Sequence, residues 1–359
     1  MPNIKKKQVL CDFWYFSELD GIACPFEKYA EEKIGPRFAR FLLRFSVLRA
    51  LLLIWLGRDF SLIAPDWFRY GRLICVLQAI LRNRNIFIFE CIDIEVGKKG
   101  PIVAAAILFV YKYVIGPCMR ASVVAAQVFT NRERQIFMER YGLPDDVLHV
   151  VLWPLSEWDS KVHNGSCIPT KAMLRSNPTS ATRGGYVFAG GRNGCDYKTL
   201  FEAAHFGNWP LIVACSGKDL PRVTALNKNG RATVFREITV VEYQRLLAGA
   251  AICALCLKET LKSNGQSRLA AAIAAGVPVV ASDVLGLEGS LIDGVTAIAV
   301  EAGHPAALAR AIENLMNEPE ERRTALTVSA KQYAATFTPH DYFSAFRQIL
   351  LRCLESKHR

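Results

Sequence analysis

The sequence predicts an α/β protein built of two doubly wound Rossmann-like domains that face a central cleft. The chain has 359 residues, and at roughly 100–200 residues per domain this length favours two domains. Short apolar runs alternate with runs of helical spacing, which is typical of parallel sheets covered by helices. The alternation is interrupted between Ser160 and Gly185, where polar residues, glycine and proline dominate.

The first domain is expected over residues 1–160, where five apolar runs predict strands and three runs predict helices. The predicted strands are Gln8–Phe13, Asp59–Ala64, Asn85–Glu90, Val123–Thr130 and His149–Leu152. The predicted helices are Arg69–Leu81, Ile102–Met119 and Arg132–Tyr141.

The second domain is expected over residues 183–337, after a linker over 161–182. Its predicted strands are Tyr186–Ala189, Pro210–Cys215, Ala251–Leu257 and Val277–Ser282. Its predicted helices are Tyr197–Phe206, Val240–Ala248, Ser267–Ala275, Pro305–Met316 and Glu320–Phe337. A final amphipathic helix, within residues 340–359, is expected to pack back on the first domain.

The composition favours a folded protein with a basic, apolar surface. The chain is 51% hydrophobic and 21% charged, which excludes a disordered protein, and its net charge is +11. Between Ile34 and Arg84 there are nine arginines, no lysine and two aspartates, interleaved with aromatic and aliphatic residues. This mixture suits an anionic membrane surface, and since no nucleic-acid motif is recognisable we expect no nucleic-acid partner.

Two apolar segments are too short to be expected to cross a membrane. Phe41–Leu56 has sixteen residues and two arginines, and Ile102–Cys118 contains a lysine and is closed by Gly116 and Pro117. A membrane-spanning helix needs about 20 apolar residues.

The first of these segments is predicted to lie in the membrane interface. Arg37, Arg40 and Arg44 recur at helical spacing, and an apolar arc fills the rest of the helix: Phe38, Phe41, Leu42, Phe45, Leu48 and Leu52. The alternative is a buried core helix whose arginines reach out to solvent.

The cysteines and the N-terminus indicate a reducing compartment. Of eleven cysteines only Cys253 and Cys256 form a close pair, and a zinc site needs more ligands than they offer, so no metal is expected. The start, MPNIKKKQVL, does not continue as a cleavable signal peptide. We therefore expect buried thiols in a protein that lies in the cytoplasm, on the inner face of the plasma membrane.

One motif that could bind phosphate follows a predicted strand in YVFAGGRNGCDYKTLFEA. Gly190 and Gly191 would let the backbone approach a phosphate, the next helix offers N–H groups, and Arg192 can pair with a diphosphate. Alternatively, the glycines only form the turn between strand and helix.

A second motif is the polar loop that begins a helix in KETLKSNGQSRLAAAIAAGVPVVAS. Ser263, Asn264, Gln266 and Ser267 place hydroxyls, amides and backbone N–H groups at a helix start, which suits a diphosphate or a sugar. Close packing against a sheet explains the alanines that follow, but it does not explain the polar loop.

These segments resemble known enzymes. AAIAAGVPVVASDVLGLEGSLIDGVTAIAV is similar to the C-terminal domain of GT-B glycosyltransferases, especially the family-4 group, and AGGRNGCDYKTLFEA resembles the entry to the same domain. MRASVVAAQVFTNRERQIFMERYGLPDDVLHVVLWPL is similar to the end of the family's N-terminal domain. The resemblance implies a GT-B fold and transfer of a sugar from a nucleotide-diphosphate sugar, with no further cofactor.

The sequence departs from the family at two carboxylates. The family usually carries two glutamates eight residues apart, and their positions here are Ser263 and Ala271. Gln266 and Ser267 are then expected to replace them as neutral hydrogen-bonding groups. The alternative is that donor binding has been lost and the chain is a non-catalytic GT-B-like binding partner.

By position, the resemblance implies roles for several other residues. Arg192 and Lys258 correspond to the basic pair that holds the donor diphosphate, and Phe235, Arg236 and Glu237 fall at the turn that binds the base. Glu18, Asp20 and Glu90 follow strands of the first domain on the expected acceptor side and are candidate catalytic bases, since an inverting enzyme needs a carboxylate near the acceptor hydroxyl. Each of them is otherwise a loop or helix-cap charge.

The sequence therefore predicts a glycosyltransferase that uses a UDP-sugar or GDP-sugar. The first domain would bind a lipid-linked or cell-envelope glycan acceptor at the cytosolic membrane face. The second domain would bind the nucleotide sugar.

Overall fold

The computed structural model describes residues 8–13, 19, 21–90, 100–156, 185–207 and 209–356. The chain divides into two compact units: unit 1 is Met1–Val151 with Phe343–Arg359, and unit 2 is Leu152–Tyr342. The predicted linker, residues 161–182, lies outside the described residues.

Unit 1 contains, in its described part, a six-stranded parallel sheet of order β2-β1-β3-β4-β5-β6. The strands are β1 (Val9–Cys11), β2 (Ala23–Pro25), β3 (Leu62–Ala64), β4 (Ile86–Ile88), β5 (Val123–Val128) and β6 (Leu148–Val150). They are shorter than the apolar runs that predict them, because residues just beyond the paired region pack instead of pairing. Phe13 and Phe89, for example, stack on each other with ring centroids 5.6 Å apart.

The helices of unit 1 form a layer along this sheet. They are α1 (Phe26–Ile34), α2 (Pro36–Leu43), α3 (Ser46–Leu56), α4 (Arg72–Ile80), α5 (Pro101–Val110), α6 (Gly116–Ser122) and α7 (Asn131–Tyr141). From β2 to β6 each connection steps the same way across the sheet, and crossovers between parallel strands are almost always right-handed, so these helices share one face. Within this layer α4 packs against both α3 and α6.

The segment Phe41–Leu56, predicted as one interfacial helix, folds as two helices. The break falls at Phe45, whose extended backbone (φ −104°, ψ 119°) precedes α3. α3 buries Arg49, Ala50, Leu52, Leu53, Ile54 and Leu56. The inner side of α3 therefore agrees with the alternative of a core helix, since it packs against α4, whereas Val47, Leu51 and Trp55 of the same helix are exposed.

On α2 and the turn after it, the arginines are exposed. Arg37, Arg40 and Arg44 face solvent, and so do Phe38 and Phe41, which are 57% and 53% exposed. The basic and aromatic surface predicted from the sequence is thus present on α2, although it is shorter than expected.

A buried ion pair ties α3 to the sheet. Asp12, directly after β1, accepts two hydrogen bonds from the guanidinium of Arg49, one of them 2.6 Å long from Nε. Arg49 also donates to Glu27, at 2.7 Å. Burial raises the pKa of Asp12 to about 6, although Arg49 acts to lower it.

The second apolar segment forms a continuous helix of 22 residues, Pro101–Ser122. The predicted helix, Ile102–Met119, is thus confirmed to within three residues, and Gly116 and Pro117 do not interrupt it. The turn Tyr111–Ile115 is widened to a π-helix, and this widening accommodates the proline that an α-helix would not tolerate. By length and composition this helix could cross a membrane, which corrects the expectation that the segment is too short, and 11% of its apolar 18-residue window is buried.

The last helix of the chain, Pro339–Ser356, belongs to unit 1 from Phe343 onward. There Phe346 packs against Phe89 at 5.0 Å between ring centroids, and both side chains are fully buried.

Unit 2 contains, in its described residues, a second six-stranded parallel sheet, of order β12-β11-β10-β7-β8-β9. Its strands are β7 (Val187–Gly191), β8 (Leu211–Cys215), β9 (Ala232–Arg236), β10 (Ile252–Leu255), β11 (Val279–Asp283) and β12 (Ile298–Glu301). Its helices, and the last helix already described, are α8 (Tyr197–Gly207), α9 (Leu220–Leu226), α10 (Val240–Ala248), α11 (Gln266–Ala274), α12 (Pro305–Asn317), α13 (Glu320–Ala335) and α14 (Pro339–Ser356).

Local sequence signals account for several of these boundaries. Helix α10 has the predicted bounds because Thr239 and Glu242 form a capping box at its start. Helix α11 begins one residue earlier than predicted, at Gln266, since Gly265 before it adopts φ +96°, which favours glycine. Two parallel sheets with their helices confirm the predicted fold class.

Candidate functional site

A cavity of about 410 Å³ lies in unit 2 at the carboxyl ends of β7 and β8 and at the start of α11. Ligands of open α/β sheets bind at this edge. The lining residues are Gly191, Arg192, Asn193, Ala214, Cys215, Glu237, Ile238, Tyr243, Ser263, Asn264, Gly265, Gln266, Ser267 and Arg268. Five predicted site residues are thus brought together: Gly191, Arg192, Ser263, Gln266 and Ser267.

The glycine pair at the end of β7 is required by packing inside the protein. A Cβ on Gly190 would lie 2.6 Å from the ring of Tyr243, and one on Gly191 would lie 2.3 Å from the guanidinium of Arg268. Gly190 itself does not line the cavity. The glycines therefore let α10 and α11 approach the end of β7, and this approach shapes the wall of the cavity.

The loops that carry Arg192 and Lys258 are joined by backbone hydrogen bonds. The N–H of Lys258 donates to the carbonyl of Gly194 at 2.9 Å, and the N–H of Asp196 donates to Cys256 at 3.0 Å. Arg192 is exposed and lines the cavity, whereas Lys258 is not among the lining residues. The predicted basic pair therefore lies on adjacent loops, with Arg192 alone at the cavity.

The polar loop before α11 is held in place by its own side chains. The amide Nε2 of Gln266, a buried residue, donates to the carbonyl of Gly286 at 2.6 Å. Asn264 Nδ2 donates to Thr260 Oγ1 at 2.9 Å. The N-cap residue of α11 is Gly265, which offers no side-chain acceptor, so the N–H groups of Gln266 and Ser267 have no side-chain cap and give a partial positive charge to a helix start that lines the cavity.

Sequence reasoning missed Arg268. Its guanidinium donates to the carbonyls of Asn193, at 2.9 Å, and Gly190, at 3.3 Å, and lies 3.1 Å from Cys195 Sγ. These bonds tie the first turn of α11 to the loop that carries Arg192. The available signal is that Arg268 is the one charged residue in the helix sequence QSRLAAAIA.

The predicted base-binding turn contributes Glu237 to the cavity wall, and Arg236 is not among the lining residues. Glu237 adopts φ +47°, and its Oε1 accepts a hydrogen bond from the N–H of Gly217 at 3.2 Å. Arg236 is exposed, with Nε 3.9 Å from the Glu237 carboxylate.

The predicted catalytic carboxylates belong to unit 1. Glu18 and Asp20 lie outside the described residues. Glu90, just after β4, adopts φ +46°, and its backbone N–H donates to Gln127 Oε1 at 2.8 Å.

Two other features of unit 2, a second cavity and a pair of cysteines, do not contribute to the lining of this cavity. A second cavity, of about 270 Å³, lies at the opposite edge of the sheet, beside the starts of β8 and β9. Cys253 and Cys256 are buried, and burial raises the pKa of each thiol to about 12. Within the described residues no three His, Cys, Asp or Glu side chains are grouped so that they could hold a metal ion.

Residues 198–318 match the family of glycosyl transferases group 1. Several solved structures share the fold over almost the whole chain at low sequence identity. A glycosyltransferase from Rickettsia africae is 12% identical with a TM-score of 0.61, over 98% of this chain and 99% of that one. HepE from Anabaena, in complex with UDP, is 12% identical with a TM-score of 0.63, over 97% and 100%.

Sucrose-phosphate synthase from Thermosynechococcus elongatus is 14% identical with a TM-score of 0.62, over 88% of this chain and 80% of that one. No curated protein sequence matches the chain. The matched family segment covers α8 to α12 and includes the polar loop before α11.

Proposed function

We propose that this chain, a glycosyltransferase of the GT-B fold whose residues 198–318 belong to the group 1 family, transfers a sugar from a nucleotide-diphosphate sugar to a lipid-linked or cell-envelope glycan. The acceptor would be met at the cytosolic face of the plasma membrane, as a step in polysaccharide biosynthesis. The observation that carries the proposal is the cavity at the carboxyl edge of the unit 2 sheet, which combines an arginine, a helix N-terminus and a polar loop.

The donor diphosphate fits between Arg192 and the start of α11. An exposed guanidinium forms charge-assisted hydrogen bonds with phosphate oxygens, and the N–H groups of Gln266 and Ser267 at the helix start favour an anion. Arg268 would act as a positioning residue, because its bonds to the carbonyls of Gly190 and Asn193 hold the loop that presents Arg192.

The sugar and the nucleoside fit on either side of this centre. The polar loop offers the hydroxyls of Ser263 and Ser267 and the amide oxygen of Gln266 as neutral partners for sugar hydroxyls. Of these residues, Ser263 stands at a position where the family carries a glutamate. Glu237, on the other side of the cavity, has the geometry to accept hydrogen bonds from a ribose or a base. Because the similar HepE structure is a complex with UDP, we favour a UDP-sugar.

The membrane part of the proposal rests on α2. Arg37, Arg40 and Arg44 are exposed beside Phe38 and Phe41, a combination that suits anionic headgroups. A peripheral protein bound this way would meet an acceptor that is itself held in the bilayer.

A non-catalytic binding partner is the second candidate, and the missing glutamates at Ser263 and Ala271 favour it. The two candidates differ in donor binding. A partner that has lost the donor site binds no nucleotide, whereas the enzyme binds both the nucleoside diphosphate and its sugar.

Calorimetry with UDP, GDP and dTDP and with their sugars tests the proposal. We expect binding of one nucleotide series, and Arg192→Ala should weaken it by about 1.5–3 kcal/mol, the scale of hydrogen bonds to charged groups. Lys258→Ala should have a smaller effect, since Lys258 does not line the cavity.

Arg222→Ala is the matched control, because this arginine of α9 is exposed and outside the cavity. Failure of every nucleotide and nucleotide sugar to bind the wild-type protein would support the non-catalytic candidate. Binding that Arg192→Ala leaves unchanged would move the donor away from this cavity.

A further inference from the structure

Helix α5 presents apolar side chains in every direction. Its ten residues, PIVAAAILFV, include no charged or polar side chain, and none of them is buried. Ile102 is 85% exposed and Phe109 is 62% exposed. A helix that is hydrophobic all round normally lies in a protein core or in lipid, and α5 lies in no core.

Positive charges stand at both ends of this apolar helix. In the sequence Lys98 and Lys99 precede it by one residue, and Lys112 follows in the turn Tyr111–Ile115. Lys112 is exposed, and Tyr113 beside it is 58% exposed. Lysine and tyrosine at the ends of an apolar helix are typical of the boundary between acyl chains and lipid headgroups.

The free part of the helix is too short to cross a bilayer. From Tyr111 onward the helix packs against unit 1: the ring of Tyr111 lies 5.6 Å from that of Tyr141, Ile115 packs against the core, and Gly116, Met119 and Ser122 are buried. Pro101–Val110 therefore remains, which at 1.5 Å per residue is about 15 Å, against about 30 Å of hydrocarbon.

We propose that α5, Pro101–Val110, is a membrane anchor that lies within one leaflet of an anionic bilayer. The apolar helix enters the acyl-chain region, and Lys112, in the exposed turn that follows it, reaches up to the phosphates. This inference rests on the proposed function in taking a membrane as the place where the acceptor is met. In this proposal α5 supplies most of the free energy of membrane binding, and α2 adds an electrostatic contact with the headgroups.

The two contacts respond differently to salt. Attraction between exposed arginines and headgroups is screened, since the Debye length falls from about 10 Å at 0.1 M to about 3 Å at 1 M salt. Burial of apolar side chains in lipid is not screened. We therefore expect binding to persist at high salt, and to occur on neutral vesicles as well.

Co-sedimentation of the full chain with vesicles of phosphatidylcholine, alone or mixed with phosphatidylglycerol, measures this. The variant Ile102→Gln/Leu108→Gln/Phe109→Gln should bind vesicles at high salt at least about 100-fold more weakly, since each fully buried aliphatic side chain contributes a factor of about ten or more. At low salt it should keep its binding to phosphatidylglycerol through α2. Its thermal unfolding should match the wild type, because none of the three side chains is buried.

The matched control is Phe206→Gln/Val241→Gln/Val328→Gln, which removes three apolar side chains of unit 2 that are 60%, 61% and 47% exposed. This control should bind vesicles as the wild type does. An independent measurement uses Phe109→Trp and lipids brominated on their acyl chains, which should quench the added tryptophan.

Complete release of the wild-type protein by salt, or equal binding by the helix variant, would overturn the inference. So would a dimer in lipid-free solution that the helix variant dissociates while no vesicle binding is seen, because the occupant of α5 would then be a second copy of the chain. UDP binding measured on the same samples reports on the donor site alone, so loss of the anchor and loss of the proposed activity are distinguishable.

Discussion

The two units of this chain differ in where they keep their apolar side chains. Of 23 exposed large hydrophobic residues in the described part of the chain, 18 lie in unit 1. Two helices illustrate this difference: α11 buries seven of its nine residues, while α5 buries none of its ten. The sequences of both helices are largely apolar.

Apolar composition therefore does not by itself decide whether a helix is buried. The small residues of α11 let it approach the sheet closely, and an arginine at its start bonds to the neighbouring loop. The larger side chains of α5 have no such surface to pack on. Unit 2 thus buries the apolar helix beside its cavity, whereas unit 1 leaves an apolar helix exposed on its surface.

The largest expected effect concerns the core of unit 1. Arg49→Met leaves the carboxylate of Asp12 buried without its partner, which should lower the free energy of unfolding by about 3–5 kcal/mol. Urea unfolding followed by circular dichroism measures this loss. UDP affinity of the folded variant should be unchanged, since Asp12 and Arg49 belong to unit 1.

Arg58→Met is the control for this change, because Arg58 is exposed and its loss should alter stability by less than about 0.5 kcal/mol. The double variant Asp12→Leu/Arg49→Met should recover much of the loss, since it removes both buried charges. An unchanged unfolding curve for Arg49→Met would show that the ion pair does not hold α3 to β1.

The second prediction tests whether vesicle binding depends on the basic surface of α2 or on the net charge of the whole chain. Changing Arg37, Arg40 and Arg44 together to Gln should weaken low-salt binding to phosphatidylglycerol vesicles by about 3 kcal/mol, at about 1 kcal/mol for each arginine near the surface. Thermal unfolding should hardly change, because exposed charges contribute little to folding.

The same number of charges can be removed from unit 2 as a control. Arg222→Gln/Arg310→Gln/Arg322→Gln changes three exposed arginines and should leave vesicle binding intact. Equal losses in both triple variants would mean that overall charge, and not α2, attracts the membrane. Unfolding of the α2 variant would place this helix in the core.

A smaller effect follows from the raised pKa of Asp12, about 6 in the folded protein against an ordinary 3.8. Between these two values the folded protein binds a proton that the unfolded chain does not bind. The carboxyl therefore favours folding at acid pH, and this contribution, on the order of 2 kcal/mol, is lost as the pH rises through about 6.

Unfolding of wild type and Asp12→Asn, compared from pH 4 to pH 7, isolates this contribution. The difference between the two stabilities should change along this range with the sign just given. A pH-independent difference would mean that Arg49 keeps Asp12 ionised throughout, and that burial does not dominate.

The fold could be predicted from sequence because its signals are local. Periodicity predicts α10 with its observed bounds, and the apolar runs predict five of the six strands of unit 1 to within a few residues. The strand β2 was missed, since ACP is too short to show a pattern. The sequence does not predict the break of Phe41–Leu56 into α2 and α3. The break depends on the extended backbone of Phe45, and phenylalanine does not by itself favour a helix end.

The candidate site was predictable in its loops but not in its contacts. Arg192 and Ser263–Ser267 stand next to glycine turns and helix starts, which are visible in the sequence. Arg268 donates to carbonyls 75 and 78 residues earlier in the chain. A local sequence pattern cannot predict a contact between residues so far apart in the chain. The same is true of Asp12 and Arg49, which are 37 residues apart.

The smallest effect tests whether the contacts of Arg268 matter to the cavity of unit 2. Gly191→Ala would place a Cβ 2.3 Å from the guanidinium of Arg268, so either the arginine or the loop with Arg192 must shift. Overpacking of this kind costs about 1–3 kcal/mol. We expect the displacement of the Arg192 loop to weaken UDP binding about tenfold, as measured by calorimetry. Gly185→Ala is the matched control, because a Cβ there meets nothing within 4 Å and should change neither affinity nor stability. Vesicle binding, a property assigned to unit 1, should be the same in both variants. If Gly191→Ala binds UDP as tightly as the wild type, the position in which Arg268 holds the Arg192 loop is not needed for donor binding. The contacts of Arg268 would then stabilise the fold of unit 2 without shaping its ligand site.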